Sequence, residues 1–281
     1  VTEPADTLTL PAGQAEDAPV PAVRRSSSRM RRTLVLGAVR LAMIAGFLSL
    51  WELASGRWIR EFWISSPSAI GEALLKWLQD GTLATNLVAT FNAMILGFVG
   101  GVAAGVVAGF TLGRIPWLAQ LLDPLIVSIY SLPKIALAPL FILWFGIGLF
   151  SKVFLTAVVC FFLVFYNTVS GARAVDRDLI DVVRVMGGSR WDVLRRVVLP
   201  SAAEWMFVGI RQAVPYALIG AVVGEFIAAD RGMGYLITRA GTAFNTADLF
   251  AALFVLMVVA VILDLLVRWS ERLTSHWKVD R

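Results

Sequence analysis

Apolar residues arrive in this chain in six long runs, each near the roughly 20 residues a helix needs to cross a hydrocarbon layer. The runs cover about 34–54, 87–112, 118–145, 153–171, 205–228 and 249–269. Each predicts a membrane-spanning helix. Proline interrupts the third at Pro133 and the fifth at Pro215, so both are expected to break there. A seventh stretch, 65–85, is too polar to span. Ser66-Pro67-Ser68 opens it as a helix cap would, and Leu74, Leu75 and Leu78 share an apolar face. It is read as an interfacial helix on the outer side.

The basic residues orient the runs. An N-terminus inside the cell gathers Arg24, Arg25, Arg29, Arg31, Arg32, Arg114, the arginines from Arg173 to Arg196, and Arg268, Arg272, Lys278 and Arg281 on the inner side. The outer side then holds Arg57, Arg60, Lys76, Lys152, Arg231 and Arg239. Cytoplasmic loops carry the excess of Lys and Arg, so both termini are expected inside. Residues before the first run are rich in Pro, Ala and Ser and then abruptly basic, with nothing apolar to offset ordering. The first run is read as an anchor rather than a cleaved leader.

Composition agrees: 58% hydrophobic, 16% charged, mean hydropathy +0.76, which is membrane-protein usage. The net charge of +5 sits at span ends and in loops, which argues for bilayer orientation and against nucleic-acid binding. One Cys, Cys160, and one His, His276, exclude a disulfide framework, a Cys/His metal site or a Cys–His dyad within one chain. No Gly-x-x-x-x-Gly-Lys-Ser/Thr occurs, so no P-loop holds ATP here.

One charged island breaks the apolar pattern. Leu179, Val182, Val183 and Met186 form an i, i+3, i+4, i+7 stripe, which predicts an amphipathic helix over 176–186. Gly187-Gly188 permits a sharp turn. Ser189 and Asp192 have capping-box spacing and open a second helix bearing Trp191, Leu194 and Val198 on one side. Pro200 precedes the next span. The island is thus a helix–turn–helix elbow tied to two spans.

Asp181-Val182-Val183, three residues, Gly187, nine residues, then Val197-x-Leu199-Pro200 resembles the EAA loop of ABC-importer permeases. Asp stands for Glu, Val-Val for Ala-Ala and Val for Ile. Pro67-Ser68, Asp80-Gly81-Thr82-Leu83, Asp123-Pro124-Leu125, the run from Leu132 to Leu140, Trp144-Phe145-Gly146-Ile147-Gly148 with Ser151-Lys152, Glu225-Phe226 and Gly232-Met233-Gly234-Tyr235-Leu236-Ile237 are similar to the sulfonate, taurine and nitrate branch. That branch also handles bicarbonate and some vitamin precursors. The resemblance implies an all-α, polytopic protein of the MetI-like permease type with six transmembrane helices. It implies a tail at 1–32, a permease domain at 33–273 containing a coupling loop at 172–200, and a short tail at 274–281.

The resemblance also implies a transport subunit, not an enzyme, carrying a small anionic solute through the bilayer. Asp181, Val182, Val183, Gly187, Gly188, Ser189, Arg190, Leu199 and Pro200 would couple it to ATPase subunits, which hold the ATP and Mg. A second permease copy and an extracellular solute-binding protein complete the assembly. A stand-alone membrane enzyme or an ion-coupled carrier is the alternative, and the chain offers neither a catalytic cluster nor an evident inverted repeat.

Ionisable groups at membrane depth are functional candidates by default. Lys134, beside Pro133, either meets an anionic solute or pairs with a carboxylate such as Glu225. Glu225 is expected to hold an outer gate by an ion pair or hydrogen bond. Arg211, four residues before Pro215, either lines the route or marks a kink. Asp264 and Arg268 are spaced for a local i, i+4 pair, and Arg40 to snorkel inward. Gly97, Gly101, Gly105 and Gly109 line one helix face, for close packing within the chain or at a seam between copies.

Overall fold

The computed structural model describes residues 26–227 and 229–274. The expected tail at 1–32 lies mostly outside them, as do the end of the C-terminal tail and His276. The chain divides into two units, residues 1–50 and 51–281. The described part of the first is helix: α1, Ser26–Ala54, begins there. It starts seven residues inside the expected tail, because a helix nucleated by the apolar run extends over Met and Arg at little cost.

Within the second unit, the end of α1 is tied to α2, Pro67–Gln79. The Trp51 indole donates to the Ser65 carbonyl at 2.7 Å, and the Glu52 carboxylate accepts from the Ser68 amide and hydroxyl at 3.0 and 2.6 Å. The Ser66 hydroxyl caps α2 by accepting from the Ala69 amide, and Pro67 fills the first turn. The buried stripe differs from the expected one. Ile70, Ala73 and Trp77 are buried, whereas Leu75 and Leu78 are exposed. Both stripes have helical spacing, and the one carrying Trp77 is the one that joins the core.

The bundle centres on three long helices: α3, Thr82–Gly113; α6, Leu149–Arg173; and α9, Leu199–Ile227. Here α6 is flanked by α3 and α9. The glycine face of α3 lies on α6. A Cβ at Gly105 would come 2.9 Å from the Phe161 carbonyl, one at Gly109 2.7 Å from the Phe165 carbonyl, and those at Gly97 and Gly101 would overlap the backbone around Val153 and Ala157. Gly209, Gly220 and Gly224 of α9 meet α6 in the same way. Lipid is as apolar as leucine, so dense backbone packing holds helices together in a bilayer. The stripe therefore serves packing within the chain.

The third run is broken, as expected. Helix α4, Pro116–Ser131, stops before the extended Leu132, a 3₁₀ turn follows at Lys134–Leu137, and α5, Ala138–Phe145, leaves at 82°. Pro133 has no N–H and forces its predecessor out of helical geometry. The fifth run is not broken, contrary to expectation: α9 continues through Pro215. The proline removes one bond, to the Arg211 carbonyl, and a helix held by neighbours tolerates that in a bilayer.

Short helices α7, Arg177–Val185, and α8, Arg190–Val193, precede α9; α10, Met233–Thr242, and α11, Thr246–Thr274, follow it. On α11, Arg268 meets Asp264 at 2.7 Å, as the spacing predicts. Among the described residues, five helices are long and apolar enough to cross a membrane, and six if the bent pair counts as one span.

Candidate functional site

The elbow forms as its residues dictate. Asp176 caps α7 by accepting from the Asp178 amide at 2.9 Å. At the other end the Gly188 amide reaches the Val183 carbonyl and the Gly187 amide the Arg184 carbonyl, both at 2.9 Å. This is a Schellman closure, and it requires the left-handed residue that Gly187 supplies at φ +80°. Gly188 is fixed by crowding instead, since a Cβ there would stand 2.7 Å from the Val183 carbonyl. The capping box is complete: the Ser189 hydroxyl accepts from the Asp192 amide at 3.2 Å, and Asp192 accepts from the Ser189 amide at 3.0 Å. The Ser189 hydroxyl, with help from its amide, holds the Asp192 carboxyl below the usual carboxylate range.

Helix α7 buries no residue. Leu179 and Val182 are exposed, Val183 is half-buried, and Val185 and Met186 are 88% and 81% exposed. Asp181 pairs with Arg184 at 3.5 Å on the surface, and Ser189 and Arg190 are exposed beside the turn. An amphipathic helix normally turns such a stripe to a core. This one has its apolar face outward, with α8 as its main neighbour.

Pro200 lies in the first turn of α9. A single π-turn, Leu194–Val198, joins α8 to α9, closed by the Leu199 amide on the Leu194 carbonyl. The wider turn makes room for a ring that would otherwise strike the carbonyl four residues back. Leu199 and Pro200 therefore belong to the joint between elbow and span.

At the opposite end of α9, Glu225 is 1% exposed. The Thr90 hydroxyl lies 2.9 and 3.0 Å from its two oxygens, and the Gly234 amide donates to it at 2.8 Å. The Met233 amide donates to Thr90, and the Gly232 amide to the Asn86 side chain, each at 2.8 Å. The first amides of α10 thus find partners on α3 and α9, which is how a buried helix start avoids orphaned donors. Gly232 sits at φ +127° against this carboxylate, where any Cβ would overlap it. Glu225 is thus hydrogen-bonded, and Lys134 is not its partner.

Lys134 instead donates to the Tyr130 carbonyl, with its ammonium 4.2 Å from the Tyr130 ring centre and 5.5 Å from that of Phe162. Arg211 lies half-buried at the middle of α9. Lys134, Arg211 and Glu225 are not assembled into one cluster. Sequence reasoning missed Asn86 and Thr90, although they share the α3 face that carries the glycines. It also missed Lys152, which looked like a span-end lysine and is 3% exposed. Among the described residues no group of His, Cys, Asp and Glu could hold a metal.

Residues 101–276 match the family described as the binding-protein-dependent transport system inner membrane component. The chain belongs to this permease family. The permease is 37% identical over 219 residues to the riboflavin transport system permease protein RibX of Chloroflexus aurantiacus, covering 78% of this chain and 82% of that one. It is 31% identical over 271 residues to the putative aliphatic sulfonates transport permease protein SsuC of Bacillus subtilis, covering 96% and 95%. With the taurine transport system permease protein TauC of Escherichia coli it shares 30%, covering 81% and 84%. Its fold matches the inward-facing MetNI methionine ABC transporter with TM-score 0.55 at 20% identity, covering 70% of this chain and 95% of that one. It also matches an amino acid ABC transporter with histidines, with TM-score 0.57 at 17% identity and coverage of 71% and 97%.

The permease is therefore the membrane-embedded subunit of an ABC importer, a multi-pass protein of the cell membrane. It is not an enzyme, and a separate partner hydrolyses ATP. The carrier and membrane-enzyme readings fall away.

Proposed function

We propose that the permease acts as one of two identical copies, with the α7–α8 elbow of each on the cytoplasmic side in a groove of an ATPase subunit. The carrying observation is the outward apolar face of α7 beside a rigid glycine turn. Contiguous exposed apolar surface rimmed by charge is what a docking partner covers. Asp181, Val182, Val183, Gly187, Gly188, Ser189 and Arg190 form this contact; Leu199 and Pro200 transmit its movement. ATP and Mg are held by the partner, and this chain carries no cofactor. Closing of the ATPases draws the elbows together and biases a two-state membrane bundle. An extracellular binding protein delivers the solute. Relatives named for aliphatic sulfonates and taurine support a small organic solute with an anionic group, and the relative named for riboflavin leaves room for a larger organic body.

Co-purification with the ATPase subunits tests this reading. Wild type should retain an ATPase in near-equal amount in mild detergent. Gly187→Arg, which adds bulk and charge at a φ of +80°, should lose it while the chain stays monodisperse. ATPase retention and normal uptake with that variant would remove the elbow assignment.

A further inference from the structure

A cavity of about 580 Å³ opens at the Glu225 end of the bundle, away from α7. Thr85, Val88 and Asn92 of α3 form one wall; Lys152 at the start of α6 and the loop residues Asp230 and Arg231 close the other. Its volume is in the range of small-molecule sites, roughly 300–1,000 Å³.

Lys152 is the unexplained member. It is 3% exposed, and its ammonium donates to the Arg231 carbonyl at 3.1 Å. An ammonium has three donors, and that carbonyl is its acceptor among the described residues. No carboxylate there lies within ion-pair distance of it. Glu225, behind it, accepts from Thr90 and Gly234 and attracts Lys152 through space without a direct ion pair. Asp230, beside it, pairs with Arg231 at 3.3 Å and is held below the usual carboxylate range, first by its own backbone amide. The Thr85 hydroxyl donates to the Gly81 carbonyl at 3.0 Å. The lining itself holds two cations, Lys152 and Arg231, against one carboxylate, Asp230, which is paired with Arg231; the Asn92 amide is a further donor and Val88 an apolar wall. A buried charge is costly without direct partners, and an anion entering here would give the Lys152 ammonium the direct ion pair that Glu225 and Asp230, which act on it through space, do not make.

The geometry points to this cavity as a receiving site for the oxyanion group of the solute, a sulfonate, carboxylate or phosphate, with Lys152 and Arg231 as its charge contacts and Asn92 as a donor. The inference rests on the importer reading above and names the residues that would sort its solutes by charge.

Thiol labelling of the full transporter, with its ATPase subunits, in phosphatidylcholine nanodiscs tests the assignment. Val88→Cys places a reporter on the wall without touching a donor, and Cys160 is buried, so wild type is the blank. The probes are the 2-sulfonatoethyl and 2-(trimethylammonium)ethyl methanethiosulfonates, each normalised to its rate with a free thiol. The anionic probe should react about tenfold faster, methanesulfonate should slow it saturably, and Arg231→Gln, at an exposed position, should narrow the ratio. Equal rates, a faster cationic probe, or no protection by methanesulfonate would overturn the site. Protection that appears only when phosphatidylglycerol is added would assign the cavity to a lipid headgroup and overturn the solute reading. ATPase subunits that remain bound throughout show that the importer reading survives either failure.

Discussion

The two ends of α9 use polar chemistry in opposite ways. At the Glu225 end, three amides of one helix start are matched to Asn86, Thr90 and Glu225 with nothing left to solvent. At the elbow end the polar bonds are local, within turns and caps, and the long-range surface is bare apolar side chain on α7. Buried polar groups must find partners, so the first arrangement fixes α10 against the bundle. Exposed apolar surface asks only to be covered, so the second suits the proposed docking of a separate ATPase subunit. One end holds elements of a single chain together; the other is the proposed junction between subunits.

Substitutions at each end break this contrast in order of size. Gly232→Val sets a side chain into the Glu225 carboxylate at a φ that only glycine readily adopts. It should cost on the order of 3 kcal/mol, read as a lowered thermal midpoint in detergent. Thr90→Val leaves the Met233 amide without its partner and should cost about 1–3 kcal/mol by the same measurement. At the elbow, Val185→Asp should move stability by no more than about 0.5 kcal/mol. Its effect should appear as weaker ATPase retention; a drop as large as that of Thr90→Val would mean that α7 is packed against the bundle. The smallest effect concerns pH. Asp192 has its carboxyl lowered in the folded chain, so the capping box contributes above the ordinary carboxylate range and loses that contribution as pH falls through the lowered value. Hydrogen exchange at the Val193 amide should rise, relative to Asp192→Asn, only in that acid window.

The six apolar runs, the elbow and the break at Pro133 were legible because each is local: length, 3.6-residue spacing or a missing N–H. Gly187 was legible for the same reason, since a left-handed closure needs glycine wherever the rest of the chain goes. Pro215 misled because the sequence shows the lost bond and not the neighbours that hold α9 straight. The π-turn before Pro200 was not legible, for it has no local signature here. The Lys134–Glu225 pairing failed on distance. Which helices meet is decided by glycine-lined approach between α3, α6 and α9, and the real partner of Glu225 is 135 residues away, at Thr90. Asn86 and Thr90 could have been found by following the glycine face of α3 back toward its start. Lys152 could not, because burial at a span end depends on the loop that folds over it.

The π-turn at Leu194–Val198 also acts as a protractor. A helix advances by about 100° per residue, so one extra residue in a single turn rotates everything before it by that angle relative to a plain α-helix. Arg190 and Trp191 therefore point about a quarter-turn away from where uninterrupted winding from α9 would put them. That turn sets which way the elbow faces, and in the coupling proposed above the unbroken helix beyond it would carry the movement, without a hinge, to the far end of the bundle.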